Sequence, residues 1–171
     1  MIIRQEQSSD YDIVYQLVKA AFANALHSDG NEQDLVASLR KSKSFIPQLS
    51  LVAVCDGNIA GHILFTKVTV GGKIELALAP LSVLPAYQRQ GIGLALIAEG
   101  HRIAQESGYE YSIVLGHPQY YPKAGYKPAS LYGIKAPFEV SDENFMAFKL
   151  NPDAKPLNGT VEYDPAFGIQ R

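Results

Sequence analysis

A strand-like apolar run that leads through a glycine-containing loop into a helical pattern is the feature that most constrains this chain. The run extends from Leu76 to Leu84 and ends at Pro85, and Gly91 and Gly93 stand in the short polar loop that follows. A helix that begins directly after such a loop presents unpaired backbone N–H groups and the positive end of its dipole. The junction is suited to bind a phosphate or pyrophosphate, because glycines let the ligand approach the backbone.

Two common kinds of phosphate loop do not fit these residues. A P-loop has Lys and then Ser or Thr after its last glycine, whereas Leu94 and Ala95 stand there. A dinucleotide-binding loop has a third Gly or Ala three residues after Gly93, where this chain has Leu96. No acidic residue ends the next predicted strand either. The loop therefore belongs to neither a Walker-type nor a Rossmann-type site.

A third kind of phosphate loop does fit. The segment matches the Gln/Arg-x-x-Gly-x-Gly/Ala pyrophosphate loop of the GNAT superfamily of acetyl-CoA-dependent N-acyltransferases, since it reads Gln88-Arg89-Gln90-Gly91-Ile92-Gly93. It also stands where that family has the loop, after a strand and before a helix. The sequence therefore resembles a GNAT protein at the junction that organises it.

A second motif lies downstream of the loop. Tyr121, Gly125 and Tyr126 resemble the Tyr-x-x-x-Gly-Phe element that closes the cofactor site in GNAT proteins, with Tyr in place of Phe. The chain also contains Gly-His-Pro-x-Tyr-Tyr-Pro at 116–122 and Pro-Leu-Ser-Val-Leu-Pro at 80–85. This combination is similar to the YhbS-like group of bacterial N-acetyltransferases, and the resemblance extends over nearly the whole chain.

The remaining sequence predicts an α/β fold with a mixed central sheet and helices on both faces. Antiparallel strands are expected in the N-terminal half, and the strand before the helix is expected to be parallel to the strand after it by the crossover rule. Gly100, inside that helix, predicts a close approach of helix to sheet. The first predicted helix follows the N-cap candidates Ser8, Ser9 and Asp10 and runs to about Leu26, and the others are about Glu32 to Ser42 and about Gly91 to Ser107. The predicted strands are Ile2–Arg4, Leu49–Cys55, Ile59–Val70, Ile74–Leu84, Tyr111–Leu115, Phe145–Leu150 and Gly159–Tyr163.

Length and composition bound the class of protein. With 171 residues, 47% of them hydrophobic, we expect one globular domain over residues 1–171. A net charge of -2 argues against bulk binding to nucleic acid or membrane. No apolar stretch approaches 18 residues and no apolar segment opens the chain, which predicts a cytoplasmic protein. Cys55 is the only cysteine, so no intrachain disulfide forms, and its apolar surroundings predict a structural thiol.

The GNAT resemblance implies transfer of the acetyl group of acetyl-CoA to a primary amine by direct attack in a ternary complex. Pro80, which lies inside the predicted strand Ile74–Leu84 and cannot donate to its ladder, predicts a bulge or an edge there. The resemblance assigns Tyr121 as the general acid for the departing thiolate, and Tyr120 is expected to be a wall or core residue. It assigns cofactor binding to the strand residues Leu81, Ser82 and Val83, to the loop and first helical turn Gln88, Arg89, Gln90, Gly91, Ile92, Gly93 and Leu94, and to Tyr121.

The general base is open between two residues. GNAT proteins often have a Glu four residues before the position of Val83, and this chain has Ala79 there. Glu75 lies farther back on the same predicted strand, and His117 stands at the mouth of the predicted crevice. A water relay to either residue is also open. The absence of a carboxylate at Ala79 supports an alternative function, a non-catalytic acyl-CoA-binding sensor or regulatory module.

The acceptor and the assembly are less constrained. In GNAT proteins the first two helices flank the acceptor entrance, which places specificity in the loop that begins at His27. The acceptor is expected to be an amine of a small molecule or peptide, and homodimers are common among proteins of this resemblance. His27, His62 and His101 show no metal-ligand spacing, so no metal site is predicted.

Overall fold

The computed structural model describes residues 1–25 and 28–169. Within them, three helices accompany nine strands and several short 3-10 turns. The helices are α1 (Tyr11–Phe22), α2 (Glu32–Arg40) and α3 (Ile92–Glu106). The strands are β1 (Ile2–Gln5), β2 (Phe45–Cys55), β3 (Asn58–Val70), β4 (Lys73–Val83), β5 (Tyr111–Leu115), β6 (Lys127–Pro128), β7 (Ile134–Lys135), β8 (Phe145–Lys149) and β9 (Gly159–Glu162).

The strands form one mixed sheet in the order β1-β2-β3-β4-β5-β8-β6. Neighbours on this path are antiparallel except β4 and β5, which are parallel and are joined through α3. Strand β9 pairs with the far end of β3, at Thr69 and Val70, and also with β7. The predicted mixed sheet, with antiparallel N-terminal strands and one parallel pair flanking the loop, is confirmed.

Helices cover both faces of the sheet because side chains alternate along the central strand β3. Ile63 and Phe65 join the core cluster of Leu96 on α3, whereas Leu64 joins that of Val14 on α1. Helix α2 contributes to the α1 cluster. Helix α3 therefore packs on one face of the sheet, and helices α1 and α2 pack on the other.

Helix α3 approaches the sheet most closely at Gly100. A Cβ at this position would overlap the ring of Phe65, which is itself fully buried. The predicted close approach is confirmed, and it explains why a residue with poor helix propensity stands inside α3. This contact fixes the distance between α3 and the sheet, and so the position of the loop that precedes the helix.

The bounds of the elements differ from the prediction at several ends. Helix α1 begins at Tyr11, directly after the N-cap candidates, and Ser8–Asp10 forms a separate 3-10 turn in which the Asp10 carboxylate accepts the N–H of Gln7 at 2.8 Å. It ends at Phe22, and the predicted end near Leu26 lies outside the described residues. Strands β6 and β7 were not predicted because two residues are too short to show an alternating pattern.

Candidate functional site

Strands β4 and β5 are paired over only a short length. The parallel ladder consists of Leu76 opposite Ser112 and Ala77 opposite Ile113. Immediately beyond, the register of β4 against β3 shifts around Pro80, which confirms the predicted bulge. The carboxyl ends of the two parallel strands are therefore unpaired with each other, and a crevice opens between them.

The bulge leaves backbone groups of β4 free on the side of the crevice. The N–H of Leu84 donates to the carbonyl of Ala60 on β3 at 2.9 Å. Because successive residues of a strand direct their backbone groups to opposite sides, Ser82 also pairs toward β3, whereas Leu81 and Val83 face the crevice. Two of the three predicted strand residues thus offer hydrogen-bonding groups to a ligand. Ser82 does not, and its side chain is only 1% exposed.

The loop after β4 holds its shape through left-handed backbone and one side-chain hydrogen bond. Gln88 donates from Nε2 to the carbonyl of Val83 at 3.1 Å, which ties the loop to the strand end. Arg89 has a φ of 64° and Gly91 a φ of 83°. Gly91 is the N-cap of α3, and a Cβ built there would meet none of the described atoms within 4 Å. The space above the helix N-terminus is open.

Charge at this terminus favours an anion. The structure describes every residue of α3, and the first turn of the helix contains no acidic side chain. Residues 88–91 are exposed, so the guanidinium of Arg89 and the unpaired N–H groups of the first helical turn can both reach a ligand. Because the helix dipole adds positive potential at this end, the arrangement fits a pyrophosphate.

The residue at position 93 must be a glycine for a reason that the sequence did not indicate. A Cβ at this position would overlap the hydroxyl oxygen of Tyr120 and would lie 3.5 Å from Cδ2 of Leu81. The glycine therefore makes room for a tyrosine, whereas the sequence suggested only room for a ligand. Tyr120 is half-buried and forms the wall of the crevice opposite Leu81, in agreement with its predicted role as a wall residue.

Tyr121 is brought to the same place by the turn that follows β5. Its ring fills the space where Gly116 has no side chain, and it packs edge-on against Tyr120 and Tyr126 at centroid distances of 5.1 and 5.5 Å. Burial raises the pKa of Tyr121, and the neighbouring Tyr120 raises it further. The phenol therefore holds its proton at neutral pH, as a general acid must before it acts.

A buried polar cluster supports Tyr121 from behind. The Tyr126 hydroxyl lies 2.7 Å from Oγ of Ser112 on β5 and 3.0 Å from Nε2 of His101 on α3. Burial lowers the pKa of His101 to about 4, so its ring is neutral. Sequence reasoning missed this cluster, although His101 stands on the apolar stripe of α3 between Ile97 and Ala104, which indicates burial.

The structure separates the two predicted bases. Glu75 lies eight residues before Val83, about 26 Å along β4 at the usual rise per residue. Its side chain is buried, and Oε1 accepts the N–H groups of Glu110 at 2.9 Å and Tyr111 at 3.2 Å. This carboxylate holds the start of β5 and lies away from the crevice. The prediction of Glu75 as the base is therefore withdrawn.

His117, the other predicted base, stands in the turn that follows β5. Its side chain is exposed, and its carbonyl accepts the N–H groups of Tyr120 at 3.1 Å and Tyr121 at 3.3 Å. The backbone of His117 therefore holds the turn that carries both tyrosines, while its ring is free to meet a ligand. Contacts among the described residues join Leu81, Val83, the loop and the two tyrosines, and the backbone of His117 belongs to the tyrosine turn.

A shallow groove of about 400 Å³ runs along α3 next to this turn. It begins at Leu94, in the first turn of the helix, and Lys123 and Arg102 line its sides. No group of three or more potential metal ligands lies among residues 1–25 and 28–169. In the same part of the chain, no helix has the length and apolar character needed to span a bilayer.

Comparison with known proteins agrees with this geometry. The model of the acetyltransferase (GNAT) family matches residues 12–125, more than half of the chain. The chain is 42% identical over 138 residues to YjhQ of Escherichia coli K12, covering 76% of each protein, and 32% identical over 171 residues to YhbS of the same strain, covering 98% of each. Both relatives are named as uncharacterized N-acetyltransferases.

Solved structures extend the comparison to the fold. YhbS of Escherichia coli in complex with CoA superposes with a TM-score of 0.89 at 28% identity, covering 98% of this chain and 92% of that one. A GNAT acetyltransferase of Brucella melitensis in complex with acetyl-CoA superposes with a TM-score of 0.80 at 34% identity, covering 97% of each. The match of the family model and the identity to YhbS over the whole length show that this chain belongs to the GNAT family of acetyltransferases.

Proposed function

We propose that this protein transfers the acetyl group of acetyl-CoA to a primary amine of a small molecule or peptide, by direct attack in a ternary complex. One observation carries the proposal. The unpaired edge of β4 at Leu81 and Val83 runs directly into a helix N-terminus that Gly91 leaves open. An elongated ligand with amide groups along its length and a pyrophosphate beyond them has the chemistry that this combination recognises.

The order of these elements along the chain matches the order of the chemical groups along acetyl-CoA. Leu81 and Val83 would pair with the amides of the pantetheine arm, as an added strand pairs with a free sheet edge. The N–H groups at the start of α3 and the charge of Arg89 would hold the pyrophosphate. The groove that begins at Leu94 would receive the nucleotide end, with Lys123 at its side.

Three groups of this chain would serve the reaction once the thioester is bound. A backbone N–H of the β4 edge, near Val83, would donate to the carbonyl and polarise it. His117 would accept the proton of the amine, directly or through a water. Tyr121 would donate its proton to the departing thiolate. A phenol gives its proton to a thiolate, whose conjugate thiol has an ordinary pKa of about 8.5, only where the apolar surroundings raise the pKa of that thiol as well.

Titration calorimetry with acetyl-CoA and CoA tests the cofactor site. The variants Gly91→Asp and Gly91→Asn form a matched pair, because both side chains tolerate the left-handed backbone at this position and only Asp is charged. We expect the wild type and the Asn variant to bind, and the Asp variant to bind at least about tenfold more weakly, a cost of about 1.4 kcal/mol from charge repulsion. Failure of the wild type to bind either ligand would refute the proposal.

A second function follows from Ala79 and from the remote position of Glu75. With Ala79 at the position where GNAT proteins often have a Glu, the chain could bind acyl-CoA as a sensor or regulatory module without turning it over. Release of free CoA in the presence of a panel of primary amines separates the two functions. Turnover that Tyr121→Phe abolishes, while calorimetry shows acetyl-CoA binding unchanged, supports the enzyme; binding without release for every amine supports the module.

A further inference from the structure

Two buried polar atoms behind the cofactor edge have complementary hydrogen-bonding needs. His62 on β3 and Ser82 on β4 are register partners, with 0% and 1% of their surfaces exposed. Neither Nδ1 of His62 nor Oγ of Ser82 has a hydrogen-bond partner among the residues that the structure describes. Buried polar atoms are rarely left in this state, so the pair requires an explanation.

The other side of the imidazole shows which nitrogen carries its proton. Ser50 donates its only hydroxyl proton to Oε1 of Glu6 at 2.9 Å. The contact of 3.2 Å between Oγ of Ser50 and Nε2 of His62 must then be donated by the histidine. Burial lowers the pKa of His62 to about 4, so the ring is neutral. Nε2 therefore carries the single proton, and Nδ1 has a lone pair that can only accept.

We infer that the hydroxyl of Ser82 donates a hydrogen bond to Nδ1 of His62, directly or through one ordered water, and that this bond makes Ser82 a positioning residue for the cofactor edge of β4. Directly opposite residues of antiparallel strands have Cβ atoms about 5 Å apart, a gap that a change of the Ser82 χ1 rotamer or one bridging water can span. The inference rests on the proposed function, because the edge that Ser82 positions is the one assigned to acetyl-CoA.

The bond would connect that edge to the helices on the other side of the sheet. Nε2 of His62 also lies 3.4 Å from Oε2 of Glu6, which accepts a bond of 2.7 Å from Arg40, the last residue of α2. The guanidinium of Arg40 lies 4.0 Å from the ring centre of Tyr11, the first residue of α1. Side chains thus link β4 to both helices that flank the acceptor entrance in proteins of this family.

The consequence for the site is positional. Ser82 lies between Leu81 and Val83, the two residues whose backbone groups face the crevice. If the hydroxyl of Ser82 is anchored to His62, β4 is held in one register and one twist at this place. The backbone groups of its two neighbours can then hydrogen-bond to two amides of the ligand at the same time. Loss of the anchor would loosen both contacts, without removing any group that touches the ligand.

Nitrogen NMR of the labelled histidines tests the bond itself. We expect the Nδ1 signal of His62 to move when Ser82→Ala removes the donor, while the signals retain the pattern of an Nε2–H tautomer. Thr66→Val is the matched control. Thr66 is another fully buried hydroxyl on the same face of β3 without a partner among the described residues, and its removal should leave the His62 signal unchanged.

Calorimetry with CoA on the same variants tests the positioning role. We expect Ser82→Ala to weaken CoA binding by about three- to tenfold, as loss of one buried hydrogen bond does, and Thr66→Val to change it less than about twofold. An unmoved His62 signal in Ser82→Ala would refute the bond, and a moved signal with unchanged CoA affinity would refute the role in positioning. A moved signal in a protein that binds no CoA would leave the bond standing and refute the proposed function instead.

Discussion

The hydroxyl oxygen of Tyr120 occupies the space in which a side chain at Gly93 would have to lie. The two residues come from different motifs, one from the loop at the start of α3 and the other from the turn after β5. Their contact joins the loop at the start of α3 to the turn that carries the tyrosines. The need for glycine at position 93 is therefore a requirement of packing within the protein, in addition to any requirement of the ligand.

Substitution of Gly93 by Ala should reveal this contact. We expect Gly93→Ala to lower the free energy of unfolding by about 1–3 kcal/mol, the usual cost of overpacking. In a Tyr120→Phe background the same change should cost less than about 1 kcal/mol, because the nearest ring atom would be Cζ at 3.4 Å and Ala is the better helix former. Denaturant unfolding of the four proteins measures the coupling. Additive effects would show that the two residues are not in contact.

Arg89 should lower the stability of the fold and strengthen the binding of CoA. It holds a left-handed φ of 64°, which costs a non-glycine residue roughly 1 kcal/mol. We expect Arg89→Gly to raise the free energy of unfolding by up to about 1 kcal/mol and to weaken CoA binding several-fold, since the charge beside the pyrophosphate is lost. Asp56→Gly is the control, because Asp56 has a φ of 52° in the turn between β2 and β3, away from the loop. The Asp56→Gly control should leave CoA affinity unchanged. If it also weakened CoA binding, the effect of Arg89→Gly would not come from the lost charge.

Glu75 should affect stability and leave the cofactor site unaffected. Burial raises its pKa above the ordinary value of 4.5, although the two N–H donors lower it. The unfolded chain therefore releases this proton at lower pH than the folded one, and the carboxyl group destabilises the fold increasingly as pH rises above 4.5. We expect Glu75→Gln to be more stable than the wild type at pH 7 and equal to it near pH 4, with unchanged CoA affinity. Unfolding curves across that range measure the difference, and a variant less stable at pH 7 would contradict the assignment.

His101 should make the protein sensitive to acid. Its pKa is about 4 in the folded state, against an ordinary value of 6.5. Between these pH values the His101 ring binds a proton in the unfolded chain and stays neutral in the folded one. Stability is then lost as pH falls from 6.5 toward 4, by at most about 3 kcal/mol for this residue. His101→Gln keeps a polar partner for Tyr126 and should lose correspondingly less stability over that interval. A parallel pH dependence in the two proteins would contradict the burial of a neutral ring.

The loop and both motifs could be predicted from sequence because each is a local pattern. The left-handed residue Gly91, the helix start and the tyrosine turn are specified within a few residues of one another, and the structure brings them together as expected. The bulge at Pro80 was also predictable, since proline removes a donor from the ladder. The parallel pair followed from the general handedness of crossovers.

The roles of Glu75 and Ser82 could not be predicted in this way. Which side of a strand a backbone group faces depends on its pairing with β3, and a bulge changes that pairing partway along. Glu75 is near the crevice only if the strand is short, and β4 has 11 residues. The contacts of Glu6 with Arg40 and Ser50 join residues 34 and 44 positions apart, which no local pattern encodes.

The two-residue ladder between β4 and β5 bears on how the protein opens in solution. Strands β1 to β4 are consecutive antiparallel neighbours with long ladders, whereas the ladder that joins β5 to β4 has only two residue pairs, supported by the Glu75 carboxylate and by side-chain packing. We expect native-state hydrogen exchange to show two cooperative units, one on each side of the β4–β5 ladder, with different free energies of opening. A ligand bound in the crevice between β4 and β5 would bridge the two units, so saturation with CoA should merge them and slow hydrogen exchange in β5 and in its neighbour β8.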